Sequence, residues 1–542
     1  MTVMRLTSFL GANKQVNPRL LGPGLGTESW NQKPGRGDFR PWRGVTPRAT
    51  VSAAARTIYR MGRDVRDSTR YWLQWNSVVY AVRGFDSGDT TERTYFCGIS
   101  VAPAVTDNTM ALAGTPYPSV SRPLGMPAPT VAPLLWVNTP GDNTTLMETY
   151  FYVFTYVNDW GWESAPSPVS QGLSQYANGS IGIYNFGTVP AGNYHINRIR
   201  IYRTQASNSG SDFFYITEIA YGTGSFIDYK TSIGEVLPTS TWTVPPANLD
   251  CLTALWNGML AGISGHGVRF CEPYIPYAWP IQYELIPPDA TPVGLGVFSQ
   301  SLLVLTTGKP LLVAGSGPEA MDQRVLDIPQ ACVAKQSIVS MGSGVAWASD
   351  DGLCYFGADG AKILTAGIMT REDWQGLNPQ SMVGCMFEGL YFGSYLPLGQ
   401  SQRLGFFINP NDQSTGMYFM NPGYLTMYFD SLMDHLFVLA GSSVCSWDDA
   451  ASYMTAYFTT GPTHLPKPAT SFAVAEVVAD GYPVWIELWA DGVKRHEQAV
   501  ANGNPFRLKS GYIAQDYVCQ VNSAYPVLSV TFAHSIEELA QT

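Results

Sequence analysis

From residue 248 to residue 450 short apolar strands recur in pairs about tight turns: LTALWNGMLAGIS, VGLGVFSQSLLVLTT, IVSMGSGVAWASD, MVGCMFEGLYFGSY and MYFDSLMDHLFVLAG. With Gly258, Gln300, Gly344, Gly389 and Asp434 placed in equivalence, the period is roughly 42 to 45 residues, the length of a four-stranded propeller blade. Each unit carries a second hairpin, as in DDGLCYFGADGAKILTAG, where Gly352 and the Asp359-Gly360 pair punctuate three strands. One blade cannot bury both of its faces, so several must pack radially. YWLQWNSVVYAV reads as two strands about an Asn76-Ser77 turn, followed by a third strand in RTYFCGISV, which places a further blade in residues 65–125. The count reaches about six blades.

Between the first blade and the rest, TPYPSVSRPLGMPAPTVAPLL is a proline-rich linker without a period, and residues 126–247 then show strand-like runs separated by frequent turns. They predict an inserted β-sandwich of fibronectin/immunoglobulin type. In NRIRIYR, Ile199 and Ile201 fall on one face, and Arg198, Arg200 and Tyr202 on the other. Residues 248–451 hold the main blades. Residues 452–542 lose the period but stay β-like, with a hairpin at Asp491-Gly492, and predict a C-terminal sandwich that ends in a polar surface tail, SIEELAQT. The one helical signal is MTREDWQGLNP, where Thr370 and Asp373 approach a capping box. Residues 1–64 contain RLLGPGLGTESWNQKPGRGDFRPWRGV, an extended arm with aromatic anchors at Trp30, Phe39 and Trp42. The fold class is therefore all-β.

Composition adds partners to this picture. Only 14% of residues are charged while 13% are aromatic, a balance that favours large contact surfaces over a solvated exterior. The net charge of −10 hides an asymmetry: residues 1–70 carry 13 Lys+Arg against 4 Asp+Glu, a local +9, which leaves −19 for the rest. Arg36, Arg40, Arg43, Arg48, Arg56, Arg60, Arg63, Arg66 and Arg70 all fall in this segment. Such a run contacts phosphates or acidic protein, or forms a solvated or intersubunit arm. Trp30, Arg36, Arg40, Trp42 and Arg43 are its candidate contact residues. The eight cysteines are dispersed without a CxxC pair, and no apolar stretch is long enough to anchor the chain in a membrane.

Catalytic signals are weak. The six histidines lie in different predicted units and none has metal-ligand spacing. GPGLG and GLGVF lack the GK[ST] ending of a phosphate loop. A propeller glycosidase would need two carboxylates about 5 Å apart. Asp350, Asp351, Glu388 and Asp434 are the available acids, and all sit at or near turns, where acids serve local hydrogen bonding. No catalytic, cofactor or metal residue is assigned. FCEPYIPYAWP is the densest aromatic and proline cluster. Its Tyr274, Tyr277 and Trp279 suit a rigid corner packed against a neighbouring unit, or a sugar platform.

The order of PLGMPAPTVAP, TYVNDWGWESAPSP, NRIRIYRT, FCEPYIPYAWP, VFSQSLLVLTTGKPLLVAGS and SGYIAQDYVCQV, with AHSIEELA at the end, resembles the propeller-bearing tail nozzle or tail tube proteins of short-tailed bacteriophages. The resemblance implies a structural virion protein that is not an enzyme, in a homo-oligomeric, typically hexameric, ring below the portal and adaptor. It also implies contact with the head-to-tail adaptor and tail fibre proteins, assembly in the host cytoplasm, and passage of genome DNA through the lumen without specific binding. The acidic bulk of the chain would then face DNA of like charge and lower its friction. Two other readings are a host-surface glycan-binding or fibre-anchoring virion module and a propeller glycosidase.

Overall fold

The computed structural model describes residues 3–62, 67–85, 88–204, 212–229, 231 and 233–541. Strands make up 45% of the chain and helices 6%, so the all-β expectation holds. The chain divides into two compact units, residues 77–288 with 314–322, and residues 1–76, 289–313 and 323–542.

The unit that begins at Ser77 contains two four-stranded meanders. The first is Tyr80–Arg83, Thr94–Gly98, Val101–Thr106 and Arg122–Pro123; the second is Asp250–Ala254, Leu260–Ser264, Gly267–Phe270 and Glu284–Leu285. Between them in sequence lie three small sheets. Leu134–Thr139 pairs Ser180–Tyr184, which pairs Ser225–Asp228; Met147–Tyr150 pairs Leu173–Tyr176; and Tyr152–Asn158 pairs Ile196–Thr204, which pairs Phe213–Ala220. The strand Ile196–Thr204 carries NRIRIYR, and its period of two puts Ile199 and Ile201 fully inward. Arg198 and Arg200 are only half-exposed, because Glu218 across the sheet pairs with both, at 2.9 and 2.8 Å.

The other unit contains four more meanders. They begin at Pro292–Phe298, Val339–Ser340, Val383–Phe387 and Met427–Asp430. The last has only three consecutive strands, Met427–Asp430, His435–Ala440 and Ser443–Ser446, and the N-terminal strand Thr46–Thr50 supplies its fourth, with Thr46 opposite Ser446 and Thr50 opposite Ser443. Gly258, Gln300, Gly389 and Asp434 lie in or beside the first turn of their meanders, and Gly344 opens the second strand of its own. At Glu388-Gly389 both residues have positive φ, 48° and 74°, the geometry that lets a two-residue turn match the twist of its strands.

Beyond the strand Met417–Met420 the sheet continues through Gly26–Trp30 into Ala456–Thr460, Ile513–Ser523, Val484–Ala490 and Val493–Val500. A second sheet, Met4–Leu6, Val527–Ala533, Val474–Ala479 and Phe506–Arg507, encloses with it a core that includes Phe9, Phe39, Phe458, Phe472, Ile486 and Phe532. Val484, Ile486, Leu488 and Ala490 alternate into that core.

Three sequence expectations are corrected. Asn76-Ser77 is no hairpin turn: Trp72–Trp75 pairs back with Thr57–Arg60, while Tyr80–Arg83 pairs forward with Thr94–Gly98, and the boundary between the units falls between Asn76 and Ser77. The final segment is no solvated tail, because Ser535 caps the short helix Ile536–Leu539 and Leu539 buries against Val474 and Ala533. The N-terminal segment is not a free arm; its strands belong to the chain's own sheets. The short helix at Arg371–Gly376 forms where the capping residues place it, with Thr370 accepting from the Asp373 amide.

Candidate contact sites

The charge asymmetry of the sequence is largely satisfied within the chain. Lys33 bridges Glu388 at 2.8 Å and Asp448 at 2.7 Å, Arg48 pairs with Asp449, and Arg19 reaches Asp516 at 2.6 Å. Arg60 meets Asp430 at 2.6 Å with both side chains out of solvent. Local acids take Arg40, which bonds Asp38 at 2.9 Å, and Arg70, which bonds Asp67 at 2.9 Å. Of the basic run, Arg63 and Arg66 lie outside the described residues, and Arg36, Arg43 and Arg56 are exposed.

The aromatic anchors of this segment also turn inward. Trp42 is fully buried among Phe387, Phe407 and Trp447, with the Lys33 ammonium 4.7 Å from its ring centroid. Trp30 lies against Phe419 and stacks on Tyr457. Arg43 donates its backbone amide to Asp448 and lays its guanidinium over Tyr453. As a contact arm for other molecules the segment retains Arg36, Arg43 and Arg56, while its tryptophans serve this chain. The physical reason is complementarity with segments that follow hundreds of residues later.

The corner predicted at FCEPYIPYAWP sits in the other unit and packs against the loop residues Trp162 and Trp242. Tyr277 stacks on Trp162 at 4.6 Å and an interplanar angle of 18°, and meets Trp242 edge-on at 5.7 Å. Burial pushes its phenol up to about 12. Trp279 is fully buried; its indole donates to Pro276 O, and its backbone amide to Thr243 O. Tyr274 remains exposed, with φ of 60° and its ring edge-on to Phe85 at 5.9 Å.

The stack runs further than the corner. Trp162 meets Trp160 edge-on at 5.0 Å, and the Trp160 ring has the Arg122 guanidinium at 4.0 Å and that of Arg93 at 4.7 Å. Arg122 in turn holds Asp159 through two bonds of 2.6 and 3.0 Å. Asn158 sets the backbone of this turn, its Oδ1 accepting from the amides of Trp160 and Trp162. Next in sequence, buried Glu163 accepts from Thr155 and Tyr202 at 2.6 Å each and pairs with Arg200 at 2.5 Å. Trp160 and Trp162 were not singled out as site residues; the DWGW run inside TYVNDWGWESAPSP carried the signal.

Asp350 and Asp351 lie on the loop before Leu353–Gly357, Glu388 on the turn after Val383–Phe387, and Asp434 on the turn before His435–Ala440. Those are turns of three different meanders, and Asp351 and Glu388 are already paired, with Arg371 and Lys33. Among the described residues no three His, Cys, Asp or Glu side chains are grouped to hold a metal. The eight cysteines are buried thiols. A cleft of about 560 Å³ beside the corner is lined by Pro103, Leu124, Met126, Tyr194, Trp242 and Pro245 among others, with no carboxylate or histidine in its wall.

No known protein family matches the chain, and no curated protein does. Among solved structures, the chain is similar at a TM-score of 0.26 and 11% identity to PorZ, a surface component of the type-IX secretion system of Porphyromonas gingivalis, covering 82% of this chain and 63% of that one. Similarity to a chain of the mitotic checkpoint complex has a TM-score of 0.23 at 10% identity, over 58% of this chain and 90% of that one. For an exo-β-1,3-galactanase of Phanerochaete chrysosporium the values are 0.17 and 9%, over 91% and 99%. Likeness at this level carries no argument about activity.

Proposed function

We propose that the chain is a structural phage tail protein, a nozzle or tail tube subunit that joins copies of itself in a ring around the DNA-ejection channel below the portal and adaptor. In this reading the six meanders are blades of a propeller, residues 126–247 are an inserted fibronectin/immunoglobulin-like sandwich, and residues 452–542 a C-terminal one. The observation that carries it is the way the chain is fastened: extended segments stitched by ion pairs, and an insert held by a ladder of stacked rings. A wall element must be rigid and must offer contact surface. The insert supplies the latter, since Leu134, Val137, Leu146, Met147 and Tyr184 are all exposed there.

Electron microscopy of the purified protein tests the proposal. A ring with a central channel lined mainly by Asp and Glu is expected; a monomer, or a lumen lined mainly by Arg, overturns it. One observation favours the glycan-binding alternative: the Trp136 ring lies flat against Gly182, where a Cβ would come within 2.1 Å of it, beside the exposed Tyr184 ring. Aromatic faces of this kind stack on pyranose rings. A glycan array with Trp136→Ala as control separates the two.

A further inference from the structure

Within the unit that holds both chain termini, residues 5–8, 18–25 and 460–463 enclose a polar cleft of about 250 Å³, with Phe458 in its wall. The three segments meet closely because glycines keep side chains out of their contacts. A Cβ on Gly461 would come within 2.6 Å of Pro18 O, and one on Gly24, where φ is 81°, within 2.5 Å of Ser8 Oγ. Leu10 donates its amide to Gly24 O at 2.8 Å, which ties the second segment to the first. The described residues of the wall include two arginines and no Asp, Glu or His. Arg5 is exposed between Met4 and Leu6, which turn toward the core. Arg19 is exposed too, and gives Nη2 to Asp516 at 2.6 Å, a carboxylate that also bonds His464 Nδ1 at 2.7 Å. The Arg19 Nε and Nη1 donors take no partner among the described residues, and neither do the hydroxyls of Thr7, Ser8 and Thr463.

We propose that this cleft binds a phosphate group, free or carried by a nucleotide. Its walls offer donors and positive charge from three sides, and a concave site of one sign concentrates ions of the other. A carboxylate has two oxygens in one plane, which a single arginine fork satisfies, whereas a phosphate presents oxygens to several walls at once. Guanidinium groups suit such an anion better than ammonium groups do, because their forks bond two oxygens at a time. Asp516 holds one nitrogen of Arg19 and leaves the other two for the ligand. The GPGLG run supplies part of the wall, but not as a P-loop: the strand Gly26–Trp30 follows it, and the cations come from Arg5 and Arg19. The inference is independent of the ring.

Titration calorimetry of the full chain in chloride buffer of fixed ionic strength tests it, with inorganic phosphate in one arm and adenosine monophosphate in the other. Inorganic phosphate is expected to bind and to raise Tm above its value in chloride alone. Arg5→Gln and Arg19→Gln should each weaken binding about tenfold or more, as loss of a charge-assisted donor implies. Arg36→Gln, exposed and outside the cleft, should leave it unchanged. Binding of the nucleotide but not of free phosphate, weakened by the same two variants, supports the site and assigns the group to a nucleotide. No binding in either arm overturns the proposal. So does an equal response in wild type, Arg5→Gln and Arg19→Gln, or a loss in Arg36→Gln as large as theirs, which would mark general attraction to a basic surface. Arg5 and Arg19 are both exposed, so either variant reads binding even where the other perturbs the fold.

Discussion

Arg60 and Asp430 are 370 residues apart in sequence and 2.6 Å apart in the fold, with 0% and 4% of their side-chain surfaces exposed. Arg60 closes the strand Thr57–Arg60 and Asp430 the strand Met427–Asp430. The pair thus fastens the N-terminal hairpin onto the meander that Thr46–Thr50 completes.

Removal of one partner should be costly, because it strands the other charge in an apolar setting. Asp430→Ala is expected to lose about 3–5 kcal/mol in urea denaturation. Asp430 Oδ1 also accepts from the amides of Leu432 and Met433. A double variant, Arg60→Met with Asp430→Asn, keeps acceptors for that turn while it removes both charges, and should recover most of the loss. If the double variant is as unstable as Asp430→Ala, the stranded charge is not the cause.

Lys33 joins two turns through Glu388 and Asp448. Burial lowers its pKa, but the two carboxylates outweigh burial and the net shift is upward. A raised amine stabilises fully below its unfolded value of about 10.4 and loses the contribution as pH rises through the higher folded value. Lys33→Met should therefore cost about 1–2 kcal/mol at neutral pH, allowing for the exposure of Glu388. The gap between variant and wild type in urea midpoint should shrink only above about pH 10.4; a gap that shrinks between pH 7 and 9 contradicts the assignment.

The Trp162–Tyr277 stack is open to a double-mutant cycle. Trp162→Ala should cost about 3–5 kcal/mol, as for a large buried aromatic. Its coupling to Tyr277→Ala should be about 0.5–1.5 kcal/mol. Coupling indistinguishable from zero by chemical denaturation means that the rings are neighbours without mutual stabilisation.

Asp159 gives the acid counterpart. Burial raises its pKa, yet the hydrogen bonds and charge of Arg122, with a smaller contribution from His195, hold it below the ordinary carboxylate value. Its contribution is present above the unfolded value of about 3.9 and lost as pH falls through the lower folded one. Asp159→Asn should be less stable than wild type by about 1–2 kcal/mol at pH 7, discounted for the exposed carboxylate. The difference should vanish in denaturation curves taken well below pH 3.9, and one that persists there points to another cause.

What the sequence made legible was local. Gly258, Gly389, Gly352 and Asp491-Gly492 mark turns because their chemistry acts within four residues, and the strand faces at Ile199 and Ile201 follow from a period of two. The misreadings share a cause. WLQW and VVYAV abut across Asn76-Ser77 and look like one hairpin, yet the partner of the first strand precedes it, at Thr57–Arg60. Arg48, Arg60 and Lys33 look like free cations because their acids are 355 to 415 residues away. Trp42 looks like an outward anchor for the same reason. The Trp160 ladder needs Arg93, just before the strand Thr94–Gly98, and Arg122, on Arg122–Pro123, which no spacing rule brings together.

The strand Thr46–Thr50 has a consequence in time. Synthesis proceeds from the N-terminus, so this strand emerges from the ribosome long before its partner Ser443–Ser446 exists. Closing so long a loop adds little free energy, since the cost grows only with the logarithm of length, but non-local pairing of this kind is slow. Throughout that interval a nascent edge stands unpaired, and an unfinished sheet elsewhere can capture it. Pulse-labelled chains should acquire protease resistance at residues 46–50 only after residue 446 has left the ribosome, late in the life of each polypeptide.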